Sequence, residues 1–180
     1  MLRITKILFI LLLTISSVKA NEIINKIVIN GNQRISDETI KIYGEIDKNK
    51  KINENGINQI IKNLYSTNFF EDVDVSYSNK ILTINLKEYP IVNQLIIIGE
   101  KSSNIKSQIK KLISLKEKRS FIKSKLSNDL EIIKTLYASI GYNFSIVEAK
   151  IKEIDNNNYD LIFEIKRGKE SRITSINFIG

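Results

Sequence analysis

"KIVINGNQRI", Lys26 to Ile35, is an apolar strand that runs into Gly31 and a polar turn, the pattern of a short strand closed by a residue free to adopt positive φ. The signal recurs as "NQLIIIGEKSS" at Asn93 to Ser103 and opens once more as "INFIG" at Ile176 to Gly180. Its glycines, Gly31, Gly99 and Gly180, are spaced by 68 and 81 residues. A period of that size is a small domain rather than a solenoid turn. The expected organisation is therefore a first unit at 21–90, a second at 91–170, and the first strand of a truncated third at 171–180. A strand with no partner cannot hold itself in a sheet, so "INFIG" reads as the edge of a fragment.

The segments after each of these strands repeat as well. In the first unit Ser36 is placed to cap a helix with Asp37 and Glu38 in its first turn, where negative charge suits the helix dipole. Ile40 and Tyr43, with Ile35 before the cap, are expected to face inward. A second helix over about Asn53 to Ser66 carries Ile57, Ile60, Ile61 and Leu64 at i, i+3, i+4, i+7. The period then switches to two. Val73, Val75 and Tyr77 alternate with Asp72, Asp74 and Ser76, and after the turn Ser78-Asn79-Lys80 the alternation resumes through Leu82, Ile84 and Leu86, with Ile81 left outside it. The second unit shows strand Gln94 to Ile98 and a helix from about Asn104 with Ile105, Ile109, Leu112 and Ile113 on one face. A longer helix follows with Ile122, Leu126, Leu130, Ile133, Tyr137 and Ile140, ended by Gly141. Strands Phe144 to Lys152 and Tyr159 to Lys166 flank the turn at Asp155 to Asn158. Each unit is strand, helix, helix, strand, strand. Pro90, the only proline, fixes its own φ, restricts Tyr89 and so stiffens the junction.

The first twenty residues belong to neither unit. Arg3 and Lys6 precede a short apolar run, Ile7 to Ile15, and Val18-Lys19-Ala20 is a small-x-small cleavage signal, so export with cleavage after Ala20 is expected. The chain has no cysteine and no histidine. Packing alone must hold the units, and thiolate nucleophiles, a Ser-His-Asp relay and the usual zinc sites are excluded. The net charge of +8 is carried mainly by the second unit. From Lys101 to Lys125, eight lysines and Arg119 face a single acid, Glu117. That stretch is either a patch for acidic lipid head groups or an acidic partner, or a solvated helix face. Nucleic acid is not an expected partner, because no aromatics interleave with the lysines. Gly31 and Gly99 are turn glycines and lie in no phosphate-binding fingerprint. Arg34 reads as a surface contact, or one reaching a neighbouring domain.

Two further stretches carry a resemblance. "LYSTNFFEDVDVSY" (Leu64 to Tyr77) and "LYASIGYNFSIVEA" (Leu136 to Ala149) both set Leu-Tyr at the end of the second helix, then a small-residue turn with aromatics, then the second strand. With "INGNQRIS" and "TINLKEYPIV", they closely resemble the polypeptide-transport-associated (POTRA) domains of outer-membrane barrel-assembly factors, over Glu22 to Gly180. The "GEKSS" turn of the second unit departs from the Gly-Asn-x-Arg form of the first. The resemblance implies an α+β fold of tandem POTRA domains, each β-α-α-β-β with a three-stranded mixed sheet and two helices on one face. It implies a place on the periplasmic side of the outer membrane of a Gram-negative bacterium, anchored by a C-terminal barrel that this sequence lacks. The implied partners are lipoprotein subunits of the assembly complex, periplasmic chaperones and unfolded outer-membrane proteins.

No catalytic, cofactor or metal residues are expected. The implied mechanism is β-augmentation, in which an edge strand offers its free N–H and C=O groups to another extended chain. By the resemblance that edge is the second strand of each unit. The candidate residues are Asp72, Val73, Asp74, Val75 and Ser76 in the first, and Phe144, Ser145, Ile146 and Val147 in the second, with Val75 and Ile146 as the places where proline should interfere. Val73, Val75, Ile146 and the two Leu-Tyr pairs are equally read as core. Glu71, Asp72 and Asp74 could be imagined as a cation site, although alternation makes Asp72 and Asp74 solvent-facing gatekeepers against aggregation. Three other functions stay open: another POTRA-bearing pore (TamA-like or two-partner secretion), a free-standing exported adaptor, and a carboxylate-based glycosidase.

Overall fold

The computed structural model describes residues 22–155, 157–172 and 175–178; the leader with Ala20, and the final Gly180, lie outside them. The chain divides between Glu88 and Tyr89 into two units. Within the described residues no helix is long and apolar enough to cross a membrane.

In the first unit, strand β2 (Lys26–Asn30) leads to helix α1 (Asp37–Gly44), where Ser36 Oγ accepts the Thr39 N–H as expected of the cap. Helix α2 (Glu54–Ser66) is capped by Asn53, whose side chain accepts the Gly56 N–H. Strands β4 (Phe70–Ser78) and β5 (Ile81–Glu88) form an antiparallel hairpin, and β2 lies parallel to β5 on its other side. The sheet order is β2-β5-β4. Ile40, Ile60, Leu64, Phe70, Val73, Val75, Leu82, Ile84 and Leu86 bury together between sheet and helices, and this apolar burial is the main stabilising term. Ile81 belongs to β5, opposite Ser78, because the two-residue turn Asn79-Lys80, both at positive φ, closes directly onto it. Two two-residue strands, β1 (Glu22–Ile23) and β3 (Lys51–Ile52), pair beside this sheet and are too short to show any period.

The second unit repeats the plan. Strand β6 (Ile91–Ile98) lies parallel to β8 (Asn158–Lys166), and β7 (Ile146–Asp155) is antiparallel to β8 on the other side, giving the order β6-β8-β7. Helices α3 (Ser103–Leu112) and α4 (Lys123–Ser139) pack Ile109, Ile133 and Tyr137 against Val92, Leu95, Leu161 and Phe163. Residues 175–178 enter no strand.

Three inward expectations for the helices are corrected. Tyr43, Leu112 and Ile140 are exposed; each sits at or just past the C-terminal end of its helix. Tyr43 instead sets its ring edge to face with Phe69, at 5.8 Å between centroids. The Leu-Tyr pairs also differ: Leu64 is buried and Tyr65 half exposed, whereas Tyr137 is fully buried and Leu136 only partly so. Tyr137 turns inward because its hydroxyl donates to the buried carboxylate of Glu100.

Each sheet is closed by the same contact. Gly31 (φ +85°) and Gly99 (φ +83°) follow the first strand, and a Cβ on either would lie 2.0 Å from the Leu86 carbonyl oxygen or 1.9 Å from that of Ile165. Two residues beyond those carbonyls stand Glu88 and Arg167. Glu88 Oε1 accepts the N–H groups of Gln33, Arg34 and Ile35 at 2.8, 3.0 and 3.0 Å, while Oε2 meets Arg34 Nε at 2.9 Å. Arg34 thus pairs inside its own unit. In the second unit the signs are exchanged: Arg167 Nη2 donates to both oxygens of Glu100, at 2.6 and 2.7 Å, and lies over the Tyr142 ring. Glu100 also accepts the Ser102 N–H at 2.6 Å.

Two outcomes are expected. Gly31→Ala or Gly99→Ala costs at least about 2 kcal/mol, since the left-handed backbone penalty of about 1–2 kcal/mol is joined by a backbone clash; denaturant midpoints check it. Burial alone raises the Glu100 pKa, but the bonds from Arg167, Tyr137 and Ser102 outweigh it and hold the group at about 2. A depressed carboxyl pKa adds stability above its unfolded value near 4.5 that disappears as pH falls towards 2. Glu100→Gln should flatten that part of the stability profile, between about pH 5 and 2.

Candidate interaction edges

A three-stranded sheet has two outer strands, and in each unit they differ. In the first, β2 has five residues and β4 nine. In the second, the start of β6 is occupied from outside: Val92 donates to the Arg119 carbonyl (2.9 Å), Lys118 to that of Val92 (2.7 Å) and Phe121 to that of Pro90 (2.7 Å). The Leu95 N–H is taken by Glu117 Oε1 at 3.1 Å. The long outer edges left are β4 and the ten-residue β7, the second strands singled out from the sequence.

Which backbone groups point outward follows from the ladder phase. In a hairpin with a two-residue turn the flanking residues, here Ser78 and Ile81, form a hydrogen-bonded pair, and bonded and non-bonded pairs then alternate. Ser76, Asp74 and Asp72 therefore bond to β5, while Val73, Val75 and Tyr77 present N–H and C=O outward. The Leu86 carbonyl, directed at Gly31 on the β2 side, agrees: it cannot also bond Val73, its partner across the hairpin. By the same logic the Ile165 carbonyl is directed at Gly99, so Ile165, Phe163 and Leu161 bond β6. Their partners across β7, namely Val147, Ala149 and Ile151, face outward.

This phase corrects part of the candidate set. Ile146 lies opposite Lys166 in the bonded phase, so proline there would cut the ladder and spare the outward row; Ala149 is the matching position to Val75. Ile146 is also half exposed and not core. Phe144 and Ser145 precede β7, because the Ser145 N–H folds back to the Tyr142 carbonyl at 3.3 Å in a turn.

The side chains make the two edges chemically different. On β4, Val73 and Val75 are buried while Asp72, Asp74 and Ser76 are exposed. Asp74 accepts from Asn85 (3.1 Å), which accepts from Asn30 (2.9 Å), a polar row across the helix-free face. Glu71 is paired with Lys87 at 2.7 Å and Asp72 accepts the Tyr65 hydroxyl at 3.2 Å, so the imagined cation cluster is spent on local partners. The outward Val73 N–H is already held by Asp72 Oδ1 (3.0 Å) and Tyr65 Oη (3.2 Å). On β7, Val147 is buried, but Ile146, Ile151 and Ile154 are 52, 43 and 48 % exposed, and Phe144 just before them 79 %.

The lysine-rich stretch holds structure in part. Lys116 Nζ caps α3 through the carbonyls of Lys110 and Lys111, Lys118 reaches Asn93 at 2.9 Å, and Lys110 pairs with Glu117 at 3.1 Å. The bonds from Lys110 and then Leu95 lower the Glu117 pKa. Sequence reading missed Asp129, fully buried on α4, which accepts Ser114 N (2.7 Å), Ser114 Oγ (2.8 Å) and Leu115 N (2.9 Å). A carboxylate three residues after Leu126 and four before Ile133, inside an apolar stripe, was the available signal.

Ladder phase makes a direct prediction. Lys150→Pro removes a bonded N–H and should cost about 1–3 kcal/mol, while Ala149→Pro, removing an outward one, costs less; chemical denaturation of the two variants orders them.

Comparison with known proteins places this geometry. The family model described as "Surface antigen variable number repeat" (POTRA) matches residues 22–89 and again 90–168. The outer membrane protein assembly factor BamA of Neorickettsia risticii (strain Illinois) is 26 % identical over 161 residues, covering 89 % of this chain and 22 % of that protein. BamA of Neisseria meningitidis serogroup B is 29 % identical over 159 residues, covering 87 % and 20 %. The chain thus spans about a fifth of these relatives. Among solved structures, the N-terminal domain of Omp85 from Thermosynechococcus elongatus superimposes with a TM-score of 0.52 at 15 % identity, over 82 % of this chain and 63 % of that one.

Proposed function

The chain belongs to the surface antigen variable number repeat (POTRA) family, and from that membership we propose that it is the periplasmic part of an outer-membrane β-barrel assembly factor. It docks partner proteins and unfolded barrel clients by adding their extended segments to the edges of its two sheets. The reading is carried by one observation: each unit leaves its second strand, β4 or β7, outermost with alternate backbone groups turned outward. Main-chain pairing is indifferent to much of the partner's sequence, which suits a receptor for many clients, and it needs no catalytic group. Export by a cleaved leader and a barrel beyond residue 180 complete the proposal. So do lipoprotein subunits and periplasmic chaperones as partners.

A photoreactive amino acid placed at Ser76 or Lys152, both exposed beside an outward row, tests it. With an unfolded outer-membrane barrel protein, an adduct is expected at one edge or both, and proline at the outward position of that edge, Val75 or Ala149, should cut its yield at least threefold. Equal yields from a proline variant with an unchanged circular dichroism spectrum would overturn the reading.

A further inference from the structure

We propose that the two edges are not equivalent: β7 is the standing acceptor of extended segments, and β4 is held shut by a clamp of Tyr65 and Asp72. This rests on the reading of both as pairing edges, and it adds which one is open and what it selects.

On β4 the first outward donor is satisfied internally. The Val73 N–H has two acceptors, Asp72 Oδ1 and Tyr65 Oη, and the Tyr65 hydroxyl in turn donates to Asp72. An incoming strand must break this triangle before it can register with Val73, and it must then lie beside the carboxylates of Asp72 and Asp74. Among the described residues, the exposed large apolar side chains include none on β4.

Among the described residues, no side chain is bonded to the outward N–H groups of β7. Val147, Ala149 and Ile151 set their outward groups along a strand of ten residues, and the two faces beside them differ in kind. The helix-side row is apolar, Val147, Ala149 and Ile151. The opposite row begins with the exposed Ile146 and then carries Glu148, Lys150 and Lys152, with Lys150 tied to Glu164 at 2.6 Å. A strand laid against this edge places its own residues alternately beside those rows, so the best occupant is an extended segment matching that ten-residue length, apolar at every second position and polar between. A membrane-spanning β-strand has that length and alternation. The exposed Ile151 gives its apolar residues surface to cover.

The test is amide mapping of the 15N-labelled chain with a synthetic decapeptide alternating valine and threonine between terminal lysines, and with a peptide of the same composition but valines in a block. The alternating peptide should shift the amides of Val147, Ala149 and Ile151, leave Val73 and Val75 in place, and bind at least fivefold more tightly than the block peptide. Tyr65→Phe combined with Asp72→Ala, both at half-exposed or exposed positions, should bring Val73 and Val75 into the shifted set. Equal shifts at both edges of the unaltered chain, or a double variant whose β4 stays silent, would overturn the inequivalence while leaving edge pairing intact. Equal affinity for the two peptides would overturn the selectivity. Shifts at neither edge would overturn edge pairing itself.

Discussion

The close approach of a turn glycine to a carbonyl of the last strand governs each unit. Because Gly31 and Gly99 have no Cβ, the chain leaving the first strand passes against Leu86 or Ile165, and an ion pair two residues further on ties the turn to the end of the last strand. The pair is Arg34 with Glu88 in one unit and Glu100 with Arg167 in the other, with the sign reversed between turn and strand. A contact whose polarity can be exchanged while its geometry persists is there for closure and not for a particular charge. It fixes the last strand in the centre, parallel to the first. The second strand, joined to the last by a tight hairpin, is left no place but the outside. The candidate edges are thus a consequence of how the sheets are closed.

Closure costs the second unit more polar burial than the first. Glu100 and Asp129 are carboxylates withdrawn from solvent, and each is tolerable because every approach to it brings a donor: Arg167, Tyr137 and Ser102 for one, Ser114 and Leu115 for the other. Such groups contribute little net stability compared with apolar replacements, but removing one partner leaves a buried charge uncompensated. They act by specifying connections. Asp129 anchors the link between α3 and α4, and Glu100 ties the start of the α3 turn to the end of β8. In a chain with no cysteine, these ties fix loops that cross-links would otherwise hold.

Much of this was legible because it is periodic. The strands of both units, the cap Ser36, and the α+β order of the two repeats follow from alternation, from three-and-four spacing and from a side chain that can accept at a helix start. The features that were not legible depend on a third dimension. Tyr43, Leu112 and Ile140 keep helical spacing yet lie exposed at the ends of their helices. Tyr65 and Tyr137 occupy matching motifs yet point opposite ways, because only the second has a buried carboxylate to meet. The phase that turns Val147, Ala149 and Ile151 outward and Ile146 inward is set by which neighbour the Ile165 carbonyl faces, and no local pattern reports it. In the second unit the candidate set overlaps β7 but begins in a turn, at Phe144.

An outward row of amide groups is an invitation to self-association, and each edge answers it with different chemistry. β4 uses acids on its open face and a clamp on its first donor. β7 keeps its apolar residues but interleaves Lys150 and Lys152, and its register shifts between Glu153 and Asp155, a bulge that breaks a flat run. Two copies of β7 laid side by side in parallel register would bring these lysines near one another, whereas a partner strand that is neutral or acidic at those positions meets no such repulsion. The same residues that discourage parallel pairing of like with like therefore raise no barrier to a different chain on this edge.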